Sequence, residues 1–390
     1  MRIIYRNRVL LFWIPFLILI IRPNQALTQN AKHKISVLTP IYLDSAFSVN
    51  TFKILDNSIP KNMLQGLEFY YGALKAVDSL KNEGIKNLQI EFIDYRSKGN
   101  SLPDIIKINR LSDSKIIIAD FNKYSDVKLL ADYTNQKKIP LISASFPNDG
   151  GVNNNPLFFL LNPTLETHCK AIYSYIQSHH LKDNIIYIKC NGGFENIVEK
   201  AFVEIEDKEA NNRKLNLISK QLIDSFTNTQ LFNKLDSTKS NTILCNCASE
   251  KFAGKLLTAV GANKSYKVNL IGMPTWDAIK NIKLPETNSA EFIYTSAYNF
   301  TKSNTLLDSI SSKYTQQFFA AASDFYLKGY ETMLRCGKLV SLYGEHGIQL
   351  FSDNMFTVFS ELDIKPKFNY INPLQIDYYE NSKIYFLKKY

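Results

Sequence analysis

The chain has 390 residues, of which 45% are hydrophobic and 21% charged, and a formal net charge of +10. That hydrophobic content with only 15 glycines fits a globular chain and excludes a disordered or low-complexity one, and the length exceeds what one core usually serves, so two domains are expected. The basic excess is no nucleic-acid footprint, because the lysines are scattered and Arg2, Arg6, Arg8 and Arg22 alone supply four of the charges.

Residues 1–28 place Arg2, Arg6 and Arg8 ahead of an apolar run from Val9 to Ile21, interrupted by Pro15. This is the pattern of a signal peptide, too short for the roughly 20 apolar residues of a bilayer-spanning helix. A soluble exported protein is expected, located in the periplasm, with an N-terminal anchor as the alternative. No cysteine follows the apolar run, which removes the lipid-anchored route.

Strands are expected at 34–39, 88–94, 115–119, 140–144 and 158–162. Between them, Leu67, Tyr70, Leu74, Val77 and Leu80 recur at helical spacing before Gly84, and 102–111 and 127–135 read as shorter helices. Alternation of this kind means a parallel sheet covered on both faces. The segment Ile116–Pro147 is a βαβ unit whose strands end in small polar loops. Open parallel sheets bind ligands at the carboxyl ends of their strands, which places Tyr124, Ser125, Ser143 and Ser145 at a candidate site.

The rhythm restarts with a helix at 165–179, a strand at 184–189 and a helix at 195–205. Strands at 215–222, 241–246 and 267–272 follow, with short helices at 231–235 and 250–260 between them, and the expectation is a second α/β lobe of the same winding. Helices at 306–319 and 323–342 then succeed one another without a strand. The chain closes in two aromatic-rich alternating runs separated by Asn381 and Ser382, a hairpin signal.

Cys169, Cys190, Cys245, Cys247 and Cys336 are odd in number and mostly lie in apolar segments, so buried free thiols are the default. Cys245 and Cys247 share a strand face at a separation that does not favour a bridge, and no zinc spacing is present. His33, His168, His179, His180 and His346 form no metal motif, and Glu345 beside His346 is no catalytic pair. GxSxG, Walker and GxGxxG loops are absent from the sequence, so no enzyme activity, cofactor or metal is assigned.

Taken in order, LTPIYLD, GLEFYYGALKAVDSLKNEG, IIIADFNKYS, IPLISASFP, NIIYIKCNGGFENIVEKAF, VNLIGMPTW and ASDFYLKGYETMLRCGKLV resemble the type I periplasmic substrate-binding protein family, branched-chain amino acid receptor type, over about residues 34–390. GMPTW and the closing YINP and NSKIYF look most like a Bacteroidetes-type branch whose members often carry a LysM module, which is not evident here. The resemblance implies two doubly wound parallel-sheet lobes joined by three crossings, here near Asn162, Tyr298 and Gly347. The lobes would be 34–162 plus 302–347 and 163–301 plus 348–390, the second including the C-terminal hairpin.

It further implies a small amino-acid-like ligand, delivered to a membrane permease of the ABC type or sensed by an envelope protein. Tyr124, Ser125, Ser143, Ala144 and Ser145 match positions that hold a ligand carboxylate, Tyr42 would wall the cleft, and Phe194 matches an aromatic that closes over the ligand. Trp276 suits either ligand contact or core packing. Thr275 lies where amino-acid binders of the family carry an acid for the ammonium group, with Asp277 two positions on. That departure leaves a second expectation open: an envelope interaction or scaffold protein reusing the fold, linked to the cell wall.

Overall fold

In the computed structural model, the structure describes residues 32–48, 51–52, 59–210, 213–279, 290–301 and 304–389. The expected signal peptide, 1–28, lies outside them. Among the described residues no helix is long and apolar enough to cross a membrane.

The first part of the chain forms β1 (His33–Thr39), a single helical turn α1 (Leu43–Ala46), a small ribbon of β2 (Phe47–Ser48) and β3 (Thr51–Phe52), and the long helix α2 (Lys61–Asn82). Then come β4 (Leu88–Asp94), α3 (Leu102–Lys107), β5 (Ile116–Ala119), α4 (Tyr124–Lys137), β6 (Leu141–Ser143) and β7 (Phe158–Leu160). The second part contains α5 (Leu165–His179), β8 (Asn184–Lys189), α6 (Gly193–Lys208), β9 (Ile218–Gln221), α7 (Asn228–Phe232), β10 (Ser240–Cys245), α8 (Glu250–Ala262), β11 (Lys267–Ile271) and β12 (Ala290–Ser296). Helices α9 (Thr305–Phe318) and α10 (Asp324–Tyr343) precede β13 (Ile364–Phe368), β14 (Ile376–Asn381) and β15 (Tyr385–Lys389).

Two sheets result. The first runs β13-β14-β7-β6-β5-β1-β4 and the second β15-β12-β11-β10-β8-β9. All neighbours are parallel except the last-arriving edges, β13 on β14 and β15 on β12. Each sheet is apolar on both faces because helices cover both. One core joins Val37, Ile118 and Ile142 to α2 and α10, and another joins Leu38, Ile117 and Leu141 to α3 and α4. In the second sheet Ile243 and Leu270 face α8, whereas Leu244 and Ile271 face α5 and α6.

Helices α2 and α10 cross with backbones in contact, which only glycine permits. A Cβ at Gly72 would lie 1.9 Å from the Tyr326 carbonyl oxygen, and one at Gly329 would lie 2.2 Å from that of Phe69. Beyond this crossing, the buried Glu331 of α10 accepts the amides of Phe359 and Ser360 at 3.1 and 2.6 Å. Arg335, one turn on, donates to the carbonyls of Phe351 and Ser360 at 2.7 and 2.8 Å. Together they clamp the loop that leads to the C-terminal strands.

That C-terminus corrects the expectation of a second-lobe hairpin. The hairpin is β13–β14, and it extends the first sheet, with β14 running parallel to β7; β15 alone joins the second sheet, antiparallel to β12. Asn381 and Ser382 therefore separate two lobes, not two strands of one ribbon. The third crossing lies at 382–384, not near Gly347, which is buried against α10 with its Cα facing the Leu339 carbonyl. Asn162 follows β7 of the first sheet and Tyr298 follows β12 of the second. The first and third crossings are tied together: Asn381 donates to the Leu161 carbonyl at 3.2 Å and buried Glu380 accepts from the Thr164 amide and hydroxyl at 2.6 and 2.9 Å, while Asn162 donates to the Ser145 carbonyl at 2.6 Å.

Candidate functional site

The parallel strands of both sheets end on loops, and the first-lobe loops carry most of the expected residues. The loop after β1 is folded by a neighbour. Asp94, ending β4, accepts the successive amides of Ile41, Tyr42 and Leu43 at 3.0, 3.2 and 2.8 Å, and these converging donors hold Tyr42 at a left-handed φ of 62°. Tyr42 is half-buried, its hydroxyl accepts from the Asn122 amide at 3.1 Å, and Arg96 lies over its ring. An amide nest of this kind could hold a ligand carboxylate; here the protein's own Asp94 occupies it.

After β5, Asp120 is fully buried. Its Oδ1 accepts from Gln65 Nε2 of α2 at 2.9 Å and from the Ser145 hydroxyl, and its Oδ2 has no hydrogen-bond partner among the described residues. Burial pushes its carboxyl up to about 6, against the opposing pull of the Ser145 and Gln65 hydrogen bonds and the field of Lys328. The expected neutral anion cradle is thus built around a carboxylic acid. Ser145 directs its proton to Asp120, and the Ala144 carbonyl accepts from the Tyr298 hydroxyl at 2.5 Å. Ser143 is buried with its hydroxyl unpartnered among the described residues. Tyr124 and Ser125 are exposed in the first turn of α4, where the Tyr124 hydroxyl overlies Gly151 at a point a Cβ would crowd to 2.7 Å.

On the second lobe, Phe194 is half-buried in the first turn of α6 and packs on the core beneath. Of the two expectations for Trp276, the structure shows core packing. Its indole is 3% exposed, donates to the Cys247 carbonyl at 2.9 Å, and fills the space above Gly272, where a Cβ would fall 2.0 Å from the ring. The glycine four residues before the tryptophan was the sequence signal for this. Thr275 is half-buried, its hydroxyl without a partner among the described residues, and Asp277 is exposed and hydrogen-bonded to Tyr294 of β12.

Sequence reasoning missed the residue between these walls. Lys328, in the first turns of α10, is half-buried with its ammonium 4.8 Å from the Tyr298 ring centroid and 5.4 Å from that of Phe325. It makes no hydrogen bond or ion pair among the described residues. Burial lowers its pKa, while Asp324, Asp277 and Asp120 act in the opposite direction. Asp120 ends a first-lobe strand and Asp277 follows a second-lobe strand, so one ammonium lies in the field of acids from both sheet edges. Lys328 was hidden because an isolated lysine on a long amphipathic helix reads as a solvated face. Two surface cavities, of about 300 and 220 Å3, lie elsewhere, under Met355–Val358 and beside Pro156–Phe159.

No family model matches the chain, and no curated protein does. Solved structures do match. A Rhodospirillum rubrum protein attributed to branched-chain amino acid ABC transport aligns with a TM-score of 0.65 at 13% identity, covering 86% of this chain and 94% of that one. A Desulfitobacterium hafniense ABC transporter substrate-binding protein in complex with Leu gives 0.56 at 12% identity, covering 92% and 98%. An ABC-type branched-chain amino acid transporter protein of Rhodopseudomonas palustris gives 0.56 at 13%, covering 91% of each. With two parallel sheets whose strand ends converge on a lysine between them, and with these neighbours aligned over nearly the whole chain, the protein has the two-lobed fold of the type I periplasmic binding proteins.

Proposed function

We propose that this is an exported, non-enzymatic solute-binding protein that encloses a small polar ligand, amino-acid-like in bearing both charges, between its lobes for delivery to an ABC-type permease or a sensor. The observation that carries the reading is Lys328, half-buried with its ammonium against the Tyr298 and Phe325 rings, without a hydrogen-bonding or ion-pair partner among the described residues, in the field of Asp120 and Asp277 from opposite lobes. A ligand carboxylate would complete the lysine, and a ligand ammonium would meet Asp120 or Asp277, reversing the polarity expected from the family's serine cradle. Tyr42, Phe194 and Thr275 would wall the cleft. The leader at 1–28 supports a periplasmic location, and the aligned neighbours, one described as a branched-chain amino acid ABC transporter and one as an ABC transporter substrate-binding protein, support the permease.

The test is a thermal-shift screen of amino acids, small carboxylates and amines, followed by calorimetry. At a concentration of 100 Kd a ligand stabilises by about 2.7 kcal/mol. Lys328→Met is expected to abolish the shift while leaving the unliganded melting temperature near that of wild type. Absence of any shift across the screen would sink the proposal.

A second reading, an envelope interaction protein, is favoured by the turn of the β13–β14 hairpin, where Tyr370, Ile371 and Leu374 are each more than nine-tenths exposed. Retention of envelope fragments by wild type but not by a Tyr370→Ser, Ile371→Ser double variant, together with a silent ligand screen, would support that reading instead.

A further inference from the structure

The second lobe gathers three of the five cysteines at one spot. Cys190 directly follows β8, Cys245 ends β10, and Cys247 lies two residues beyond. The thiol of Cys190 interacts with those of both Cys245 and Cys247. Cys169 and Cys336, by contrast, are buried in separate cores, each with none of the other cysteines beside it. Among the described residues no group of His, Cys, Asp or Glu is arranged to hold a metal.

Register decides which pair can bond. β8 and β10 are parallel neighbours with Cys245 opposite Ile188; the Asn246 amide closes that ladder on the Ile188 carbonyl at 3.2 Å, and beyond it the Cys190 amide donates to Asn246 Oδ1 at 2.8 Å. Extending the register by two residues would set Cys247 opposite Cys190. Neighbouring strands lie about 4.8 Å apart, within the Cα separation that a disulfide spans, and paired residues of a parallel ladder project to the same face. The diagonal from Cys190 to Cys245 adds two residues of rise and comes to about 8 Å, beyond the reach of a bridge without backbone movement. Access is one-sided: Cys190 is half-exposed, whereas Cys245 is fully buried and Cys247 is 4% exposed.

We propose that Cys190 and Cys247 form a reversible disulfide under oxidising conditions, locking the loop that carries Phe194 to the end of β10. The co-reactant is a second disulfide, small or protein-borne. Cys190, as thiolate, attacks one of its sulfurs and releases the first external thiol. Cys247 then attacks Cys190 Sγ of the mixed disulfide and releases the second. The protein thereby loses two protons and two electrons, and the external disulfide gains both. The hydrogen bond with Cys245 and burial raise the pKa of Cys190 against the opposing pull of Cys247, and the hydrogen bond with Cys190 and burial raise that of Cys247, so exchange is slow at neutral pH and accelerates on mild alkalinisation. The bond would close a loop of about 58 residues and fix the strand end that also receives the Trp276 indole on the Cys247 carbonyl. None of this depends on what the cleft binds.

The experiment incubates the full chain with glutathione disulfide at pH 8.5, blocks remaining thiols with N-ethylmaleimide after unfolding, and maps the peptides. The expected result is loss of two blockable thiols and a peptide pair linked through Cys190 and Cys247. The linkage should persist in Cys245→Ser and disappear in Cys247→Ser, and the oxidised wild type should melt at a higher temperature than the reduced protein. Full blocking of all five thiols after oxidation, or a bridge through Cys245, would overturn the proposal. The wild-type peptide map decides this even if a variant fails to fold.

Discussion

Asp120 offers the sharpest quantitative test, because one substitution isolates the cost of its burial. Burial pushes its carboxyl up to about 6 in the folded protein, against an ordinary aspartate value of 3.8. A raised carboxyl binds its proton more tightly when folded, so stability is fully present below 3.8 and is lost as pH rises through 6. That rise corresponds to about 3 kcal/mol of native-state destabilisation above pH 7. In Asp120→Asn the amide oxygen still accepts from Gln65 and Ser145, and the new NH2 takes the place of Oδ2, which has no partner among the described residues. Any fixed cost of that exchange is the same at every pH. The stability of Asp120→Asn minus that of wild type should therefore become more positive by about 3 kcal/mol between pH 3.5 and pH 7.5, whatever its starting value. Urea unfolding across that range, with equal m-values, measures it. Parallel pH profiles for the two proteins would refute the assignment of a protonatable, desolvated acid to this strand end.

Three further outcomes are expected. His168 is buried on the second sheet with Nδ1 3.0 Å from the Thr295 hydroxyl, and burial holds it near 4, so stability is lost as pH falls from 6.5 through 4, by about 3 kcal/mol. His168→Gln should flatten that acid limb in urea titrations followed by second-lobe probes. Arg335→Met leaves Glu331 buried without its compensating cation and frees the Phe351 and Ser360 carbonyls, and should cost about 3–5 kcal/mol in chemical denaturation. Gly329→Ala drives a methyl into the Phe69 carbonyl; overpacking of up to about 3 kcal/mol against a helix-propensity gain of about 1 should lower stability by about 2 kcal/mol, where an uncrowded helix site would gain.

The Asp120 and His168 effects act on different lobes and in opposite directions. Between pH 6.5 and 4 the first lobe gains through Asp120 while the second loses through His168, so unfolding of the two should separate on acidification.

The regular elements were legible because their signals are local. LQIEFID and NIIYIK coincide with β4 and β8, and the helix read at 165–179 coincides with α5. What failed depended on contacts distant in sequence. The strand AEFIYTS, forming β12, was not read at all, although alternation is present, because it is recognised only by its pairing with β11 and β15. The C-terminal runs were correct as strands and wrong as partners, since register within a pair is local but membership of a sheet is not. At the site, residue type misled. Ser145 reads as a free donor, but its proton is directed to Asp120, within the IIIADFNKYS motif that resembles a ligand loop. Trp276 reads as core once Gly272, which makes room for its ring, is read with it.

The division of the last strands between two sheets also governs how the molecule can be made. The first sheet needs β14 to cover β7, and the second needs β15 to cover β12, yet both strands lie within one short stretch, 376–389, that follows every strand they cover. Until then each sheet presents an unpaired edge, a template for association with another chain. A polypeptide threaded N-terminus first cannot finish one lobe and then the other: both must wait, partly open, and close within the same step. A truncation of the final strand should therefore appear as loss of yield through aggregation, and the slow phase of refolding should be shared by probes in either lobe.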